Sequence, residues 1–124
     1  MMSTQEIADR LVELCREGKY QECYQELYAP DAVSIEPKGA MIERAEGLEA
    51  MAEKGKKWND MVEDFHGSDI TDPVVCGNHF SLGMMMDCTF KGIGRQKMEE
   101  ICVYAVEDGK VVSEQFFYPV PDQA

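Results

Sequence analysis

Positive charge is what this sequence has least of. Lysine and arginine number 12 against 24 aspartates and glutamates, a net charge of −12 at pH 7. Nucleic-acid binding draws on a basic patch that displaces counterions, and anionic membrane surfaces select for the same feature, so neither partner is expected. The carboxylate excess serves solubility first. Histidine is almost missing. His66 and His79 stand alone without ligand spacing, and no zinc site is expected. The five cysteines (Cys15, Cys23, Cys76, Cys88, Cys102) are odd in number, include no CxxC pair and sit mostly in apolar strings. They read as buried thiols in a reducing compartment, not a disulfide frame. No apolar run approaches membrane-spanning length, and the stretch from Met1 to Glu6 has no apolar signal segment, so a cytoplasmic location is expected. Glycine-rich nucleotide loops, nucleophile elbows and Cys–His pairs are missing too, and no cofactor is expected. No linker, repeat or low-complexity segment divides the chain. Its 124 residues read as one domain, 1–124, long enough for a real core.

What the chain has is concentrated between Arg95 and Tyr118. Two runs rich in β-branched and aromatic residues flank Asp108-Gly109, which predicts a β-hairpin. Two registers are open. With only Asp108 and Gly109 in the loop, Glu114 lies opposite Val103. With a type I turn over Glu107, Asp108 and Gly109 closed by a glycine bulge, Glu114 faces Cys102, Phe116 faces Glu100 and Tyr118 faces Met98. Glycine tolerates the left-handed conformation the bulge needs, so the bulged register is preferred. It gathers Met98, Glu100, Cys102, Tyr104, Val112, Glu114, Phe116 and Tyr118 on one face, and leaves Ile101, Val103, Val111 and Phe117 on the other.

The rest of the chain supplies helices, then strands. Ser3 to Glu6 has capping-box spacing, and a helix should run to about Glu17 with Ile7, Leu11, Leu14 and Cys15 on one face, ended by Gly18. A second helix spans about Gln21 to Tyr28, and Pro30 blocks its extension. Asp31 to Pro37 reads as extended and Lys38 to Arg44 as a loop. A third helix, about Gly47 to Val62, turns Met51, Trp58 and Met61 inward; Glu49, Glu53, Lys54, Lys56, Lys57 and Asp60 form a solvated face. Strands follow from about Phe65 to Cys76 and His79 to Phe90, with Gly83 marking a bulge or bend. With the hairpin they make a four-strand antiparallel meander. The fold class is α+β: a cone-shaped curved antiparallel sheet wrapped around a long helix, with a pocket at its open end. Met85, Ile101, Val103 and Phe117 leave the outer sheet face apolar, which points to a homodimer through that face.

Three stretches carry a family resemblance: Gly18-Lys19-Tyr20 with Leu27-Tyr28-Ala29-Pro30-Asp31-Ala32-Val33, then Gly47-Leu48-Glu49, then Val106-Glu107-Asp108-Gly109-Lys110-Val111-Val112. Together they resemble the SnoaL-like branch of the nuclear-transport-factor-2-like superfamily. That resemblance implies a cone-shaped α+β fold, commonly dimeric through the outer sheet face. Members include ketosteroid isomerases, polyketide cyclases, dehydratases, epoxide hydrolases and non-catalytic binding modules, so fold alone does not give function. In the isomerase pattern the general base precedes a proline, and Glu36 before Pro37 matches. The oxyanion-hole positions fall on Leu11 and Cys102, neither an adequate donor, so the resemblance does not imply steroid isomerisation. Of the epoxide-hydrolase pattern only Arg95 is present; Lys97 stands where an acid is required.

Glu36, Glu100 and Glu114 are therefore the candidate acid–base residues. Gathered in one pocket, burial and mutual repulsion should raise the pKa of at least one, letting one act as acid and another as base on a carbonyl compound. Tyr118 is a candidate hydrogen-bond donor. Phe116, Cys102, Met84, Met86, Trp58 and Leu11 are candidate apolar lining, with His66 at the pocket mouth. The expected partner is a small hydrophobic or carbonyl-containing molecule. The competing reading pairs the glutamates with Arg95, Lys97 or Arg44 as structural ion pairs, in a non-catalytic ligand-binding or dimerisation module.

Overall fold

The computed structural model describes residues 1–120; residues 121–124 of the expected domain lie outside the described residues. The elements run α1 (Thr4–Arg16), α2 (Tyr20–Leu27), β1 (Tyr28–Ile35), β2 (Arg44–Glu46), α3 (Leu48–Met61), β3 (Val62–Ile70), β4 (Val74–Cys76), β5 (His79–Phe90), β6 (Gly94–Glu107) and β7 (Lys110–Phe117). Among the described residues no helix is long and apolar enough to cross a membrane.

The predicted capping box opens α1. The Ser3 hydroxyl accepts from the Glu6 amide at 3.1 Å, and the Glu6 carboxylate accepts from the Ser3 amide at 2.9 Å. Two amides that the helix itself cannot pair are thereby satisfied. At the other end Gly18, at φ +74°, lets the Lys19 amide reach back to the Leu14 carbonyl at 2.9 Å, a Schellman closure. The inward stripe of α1 (Ile7, Leu11, Leu14 and Cys15) packs on Phe80, Leu82, Cys102, Tyr104 and Val111 of the sheet. α3 buries only Met51 completely. The core therefore sits mainly between α1 and the sheet, while α3 borders β1, β2 and β3.

The strands form one sheet in the order β2-β1-β7-β6-β5-β3, with β4 also on β5. The predicted meander is present, and β1 adds to its far edge by pairing parallel with β7. Three expectations need correction. The strand expected over Phe65 to Cys76 starts at Val62 and is split into β3 and β4 around Pro73, which has no amide to donate. Gly83 is not a bulge, since its register with Ile101 is unbroken. Instead Thr71 lies over it: the Gly83 amide donates to Thr71 Oγ1 at 2.8 Å, and a Cβ at Gly83 would meet the Thr71 methyl at 3.2 Å.

The third correction is the hairpin register. Asp108 (φ +50°) and Gly109 (φ +74°) are both left-handed, as a two-residue type I′ turn requires. Glu107 pairs with Lys110 and Val106 with Val111; a bulge at Val112 then shifts the ladder, so Tyr104 lies opposite Glu114 and Cys102 opposite Phe116. The bulge sits in the strand, not at the turn, and neither expected register holds. The preferred register was off by two residues, a full side-chain period, so Glu100, Cys102, Tyr104, Glu114 and Phe116 still share the inner face. Val111 changes sides: it is fully buried opposite Val106 instead of facing outward.

Candidate functional site

Strand alternation brings the polar side chains together. On β1, Ser34 points to the same side as buried Ala32, and Glu36 follows just past the strand end. On β7 the inner face presents Glu114 and Phe116, and on β6 Glu100 and Cys102. Parallel pairing sets Ser34 beside Glu114. Tyr28 enters from the start of β1, Lys54 from α3 and Tyr118 from just beyond β7.

Glu114 is the most buried carboxylate in this group, at 3% exposed. The Tyr28 hydroxyl donates to its Oε1 in a short hydrogen bond, and Ser34 Oγ donates to its Oε2 at 2.7 Å. Lys54 Nζ donates to Ser34 Oγ at 2.6 Å. The same ammonium lies 3.7 Å from Glu36 Oε2, an ion pair too long for a hydrogen bond. It also lies 5.2 Å from the centre of the Phe116 ring, within cation–π range. Tyr118 donates to Glu36 Oε1 at 3.2 Å, whereas buried Glu36 Oε2 accepts no hydrogen bond among the described residues. The Cys102 thiol faces Glu100 Oε1 at 3.8 Å.

The electrostatics follow from that crowding. Burial pushes the Glu100 carboxyl up to about 7, with repulsion from Glu36 and Glu114 adding to the rise. Burial also raises Glu36, against the opposing pull of Lys54 and the Tyr118 hydrogen bond. Glu114 is raised by its complete burial, in spite of the Tyr28 and Ser34 hydroxyls that favour its charged form. The Tyr118 hydroxyl is raised by burial and by Glu36. Three acids thus share one site with one lysine and hold different environments.

The structure brings Glu36, Glu100, Glu114, Tyr118, Phe116 and Cys102 together. Met84 is buried opposite Glu100 on β5, and Met86 is half-buried two residues on. Trp58 packs edge-on against Phe90 at 6.0 Å. Two expectations fail. Leu11 is 1% exposed and closed into the α1 core, so it offers no ligand surface. His66 is exposed and bonds Thr89 Oγ1 at 2.7 Å. Thr89 alternates with inward Cys88 and Phe90, so His66 lies on the outer sheet face and not at the site. The competing ion pairs do not form with Arg95 and Arg44: Arg95 binds Asp87 at 2.8 Å and Arg44 binds Glu46 at 2.8 Å.

Sequence reasoning missed Lys54, Ser34 and Tyr28. Lys54 was placed on a solvated helix face, yet it stands three residues after Met51 and four before Trp58, on the apolar stripe. Ser34 was legible as the inward position between Ala32 and Glu36. Nothing local marked Tyr28, because its partner is 86 residues away.

The sequence model of the SnoaL-like domain matches residues 2–118. The chain belongs to the SnoaL-like domain family. Among solved structures, a candidate SnoaL-like polyketide cyclase from Mesorhizobium loti superposes with a TM-score of 0.89 at 31% identity, covering 94% of this chain and 100% of that one. Two more distant structures share the fold alone. One is a Catenulispora acidiphila protein with a ketosteroid isomerase-like fold, in complex with trimethylamine (TM-score 0.72, 18% identity, 95% and 88% covered). The other is TerC co-crystallised with polyporic acid (TM-score 0.75, 11% identity, 94% and 92% covered). No functionally curated protein matches the chain. The fold is the one seen in nuclear-transport-factor-2-like structures.

Proposed function

We propose that this SnoaL-like domain binds a small apolar carbonyl compound on the inner sheet face and moves a proton on it without a cofactor. The observation that carries the reading is the asymmetry of Glu36. Tyr118 holds Oε1, while Oε2 is buried beside Lys54 with no hydrogen bond of its own. An oxygen left without a hydrogen bond can take a proton from the carbon next to a carbonyl once the site opens to admit the substrate. Glu100, half-protonated near neutral pH, is the matching acid. It delivers a proton elsewhere on the substrate, to a second carbon in an isomerisation, to a carbonyl oxygen in a cyclisation or to a leaving hydroxyl in a dehydration. Glu114 has both oxygens occupied by the Tyr28 and Ser34 hydroxyls and is a positioning residue that fixes Tyr28, Ser34 and, through Ser34, Lys54. Phe116, Cys102, Met84 and Met86 supply apolar contact.

The same reading includes a homodimer. Met85, Ile101 and Phe117 are exposed on the outer face, beside a shallow groove of about 350 Å³ that Thr71 and Glu99 help to line. Covering such a surface favours association of two copies. The free cysteines support a reducing, cytoplasmic setting.

Hydrogen–deuterium exchange of apolar ketones in heavy water, followed by NMR, tests the chemistry without knowledge of the natural substrate. Exchange beside the carbonyl, above the buffer rate and lost in a folded Glu36→Gln variant, is the expected result. Equal rates with and without Glu36 would make the glutamates structural and the chain a non-catalytic ligand-binding or dimerisation module.

A further inference from the structure

We infer that Lys54 is the oxyanion-binding group of this site, its ammonium holding the substrate oxygen on which negative charge develops when Glu36 takes a proton. The inference rests on the carbonyl acid–base reading above and supplies what that reading lacks. Leu11 is sealed in the core, and the Cys102 thiol is a weak donor turned toward Glu100. Lys54 remains as the cation of the group.

An ammonium carries three N–H donors. One is spent on Ser34 at 2.6 Å, and a second faces Glu36 across 3.7 Å. The third has no acceptor among the hydrogen bonds of the described residues. The 3.7 Å separation also has chemical content. When the C–H bond breaks, its proton goes to Glu36 Oε2 and its electron pair moves through the new C=C bond onto the carbonyl oxygen. One negative charge thereby passes from Glu36 to the substrate oxygen. Lys54 lies beside the place the charge leaves, so its ion pair can transfer from Glu36 to the enolate without the lysine travelling.

Position is fixed in advance, which gives an electrostatic donor its advantage over water. Ser34 ties Nζ to Glu114, Tyr28 ties Glu114 from the other side, and the Phe116 ring flanks the ammonium. The Glu114 carboxylate, both oxygens occupied, gains a purpose as the anchor that aims this lysine.

Two measurements separate this inference from the one beneath it. The first is binding of para-nitrophenol, whose ionised form is a stable oxyanion with a distinct visible absorbance. Wild-type protein should bind it as the phenolate and lower its apparent pKa; folded Lys54→Gln, which keeps a donor for Ser34 but no charge, should lose the shift, and Lys54→Arg should retain part of it. The second is the ketone exchange assay, where Lys54→Gln should lower the turnover rate by about 100-fold with little change in KM. Phenolate binding without any ketone exchange would sink the proton-transfer reading and leave the oxyanion site standing. Ketone exchange that Lys54→Gln leaves unchanged, or no phenolate shift in the wild type, would overturn the role of Lys54. So would a covalent enaminone on Lys54 after treatment with acetylacetone, formed with loss of water, since the lysine would then act as an amine nucleophile. Should Lys54→Gln not fold, an absent phenolate shift in the wild type still overturns the inference.

Discussion

Ser34 and Glu114 are neighbours in the parallel β1–β7 ladder, 80 residues apart in sequence and joined by a 2.7 Å hydrogen bond. That bond is the middle link of a polar chain from Tyr28 through Glu114 and Ser34 to Lys54, ending at Glu36 and Tyr118.

Breaking the chain at Glu114 should be costly in a way that depends on the replacement. Glu114→Leu leaves the buried Tyr28 and Ser34 hydroxyls without their acceptor. The expected loss is about 3–5 kcal/mol. Glu114→Gln keeps an acceptor oxygen for one of the two hydroxyls, so it should cost well under half of that. Urea unfolding of the two variants checks the order.

Stability should fall as the solution is brought from mildly acidic to neutral pH. The folded chain holds the Glu100 proton up to about 7, whereas the unfolded chain releases it near 4.5. Between those values the folded state binds more protons, so rising pH favours unfolding. The full effect is at most about 3 kcal/mol, and Glu36 and Glu114, also raised, act in the same direction. Thermal melts of the wild type and Glu100→Gln should converge at about pH 4.5 and separate by pH 7, with the variant the more stable.

Turnover carries its own pH signature. On the proposed mechanism Glu36 acts ionised and Glu100 protonated, so the rate profile should be bell-shaped with its alkaline limb near pH 7. Glu100→Gln should remove that limb together with most of the rate. A limb that survives the substitution would assign the acid to another residue.

The outer sheet face gives a prediction independent of the site. Ile101 is 57% exposed beside Phe117 and Met85. Ile101→Glu should convert a dimer into a monomer by light scattering at micromolar concentration, leaving the inner polar chain intact. Wild-type protein that is already monomeric would remove the dimer from the proposal.

Loss of the capping box should be modest and local. Ser3→Ala removes the acceptor for the Glu6 amide and should cost about 1 kcal/mol, with no change in turnover.

Much of this architecture was written in short-range patterns. Ser3 and Glu6 announced the first helix, the alternation from Phe80 to Phe90 announced β5, and Asp108-Gly109 announced the hairpin. Glu100 and Glu114 shared a face because strand parity survives a two-residue error in register. What local pattern did not carry was the position of the bulge. Val112 has no feature that distinguishes it from Val111; the choice depends on which valine the core can take. Lys54 was hidden for a related reason. A lysine among charged helix residues reads as solvated until the strands that meet it are known. The split at Pro73 was available from chemistry, because proline cannot donate to a ladder.

The parallel joint between β1 and β7 also sets a timetable. Tyr28 and Glu114 lie 86 positions apart, and Tyr118 and Glu36 lie 82 apart. A growing chain can complete α1 and the β5–β6 hairpin from nearby segments, but it cannot close the Tyr118–Glu36–Lys54–Ser34–Glu114 array until residue 118 has been synthesised. Contacts of such long sequence separation form slowly and late. A nascent or C-terminally clipped chain can then be largely structured and still chemically silent, so its competence reports that β7 has arrived.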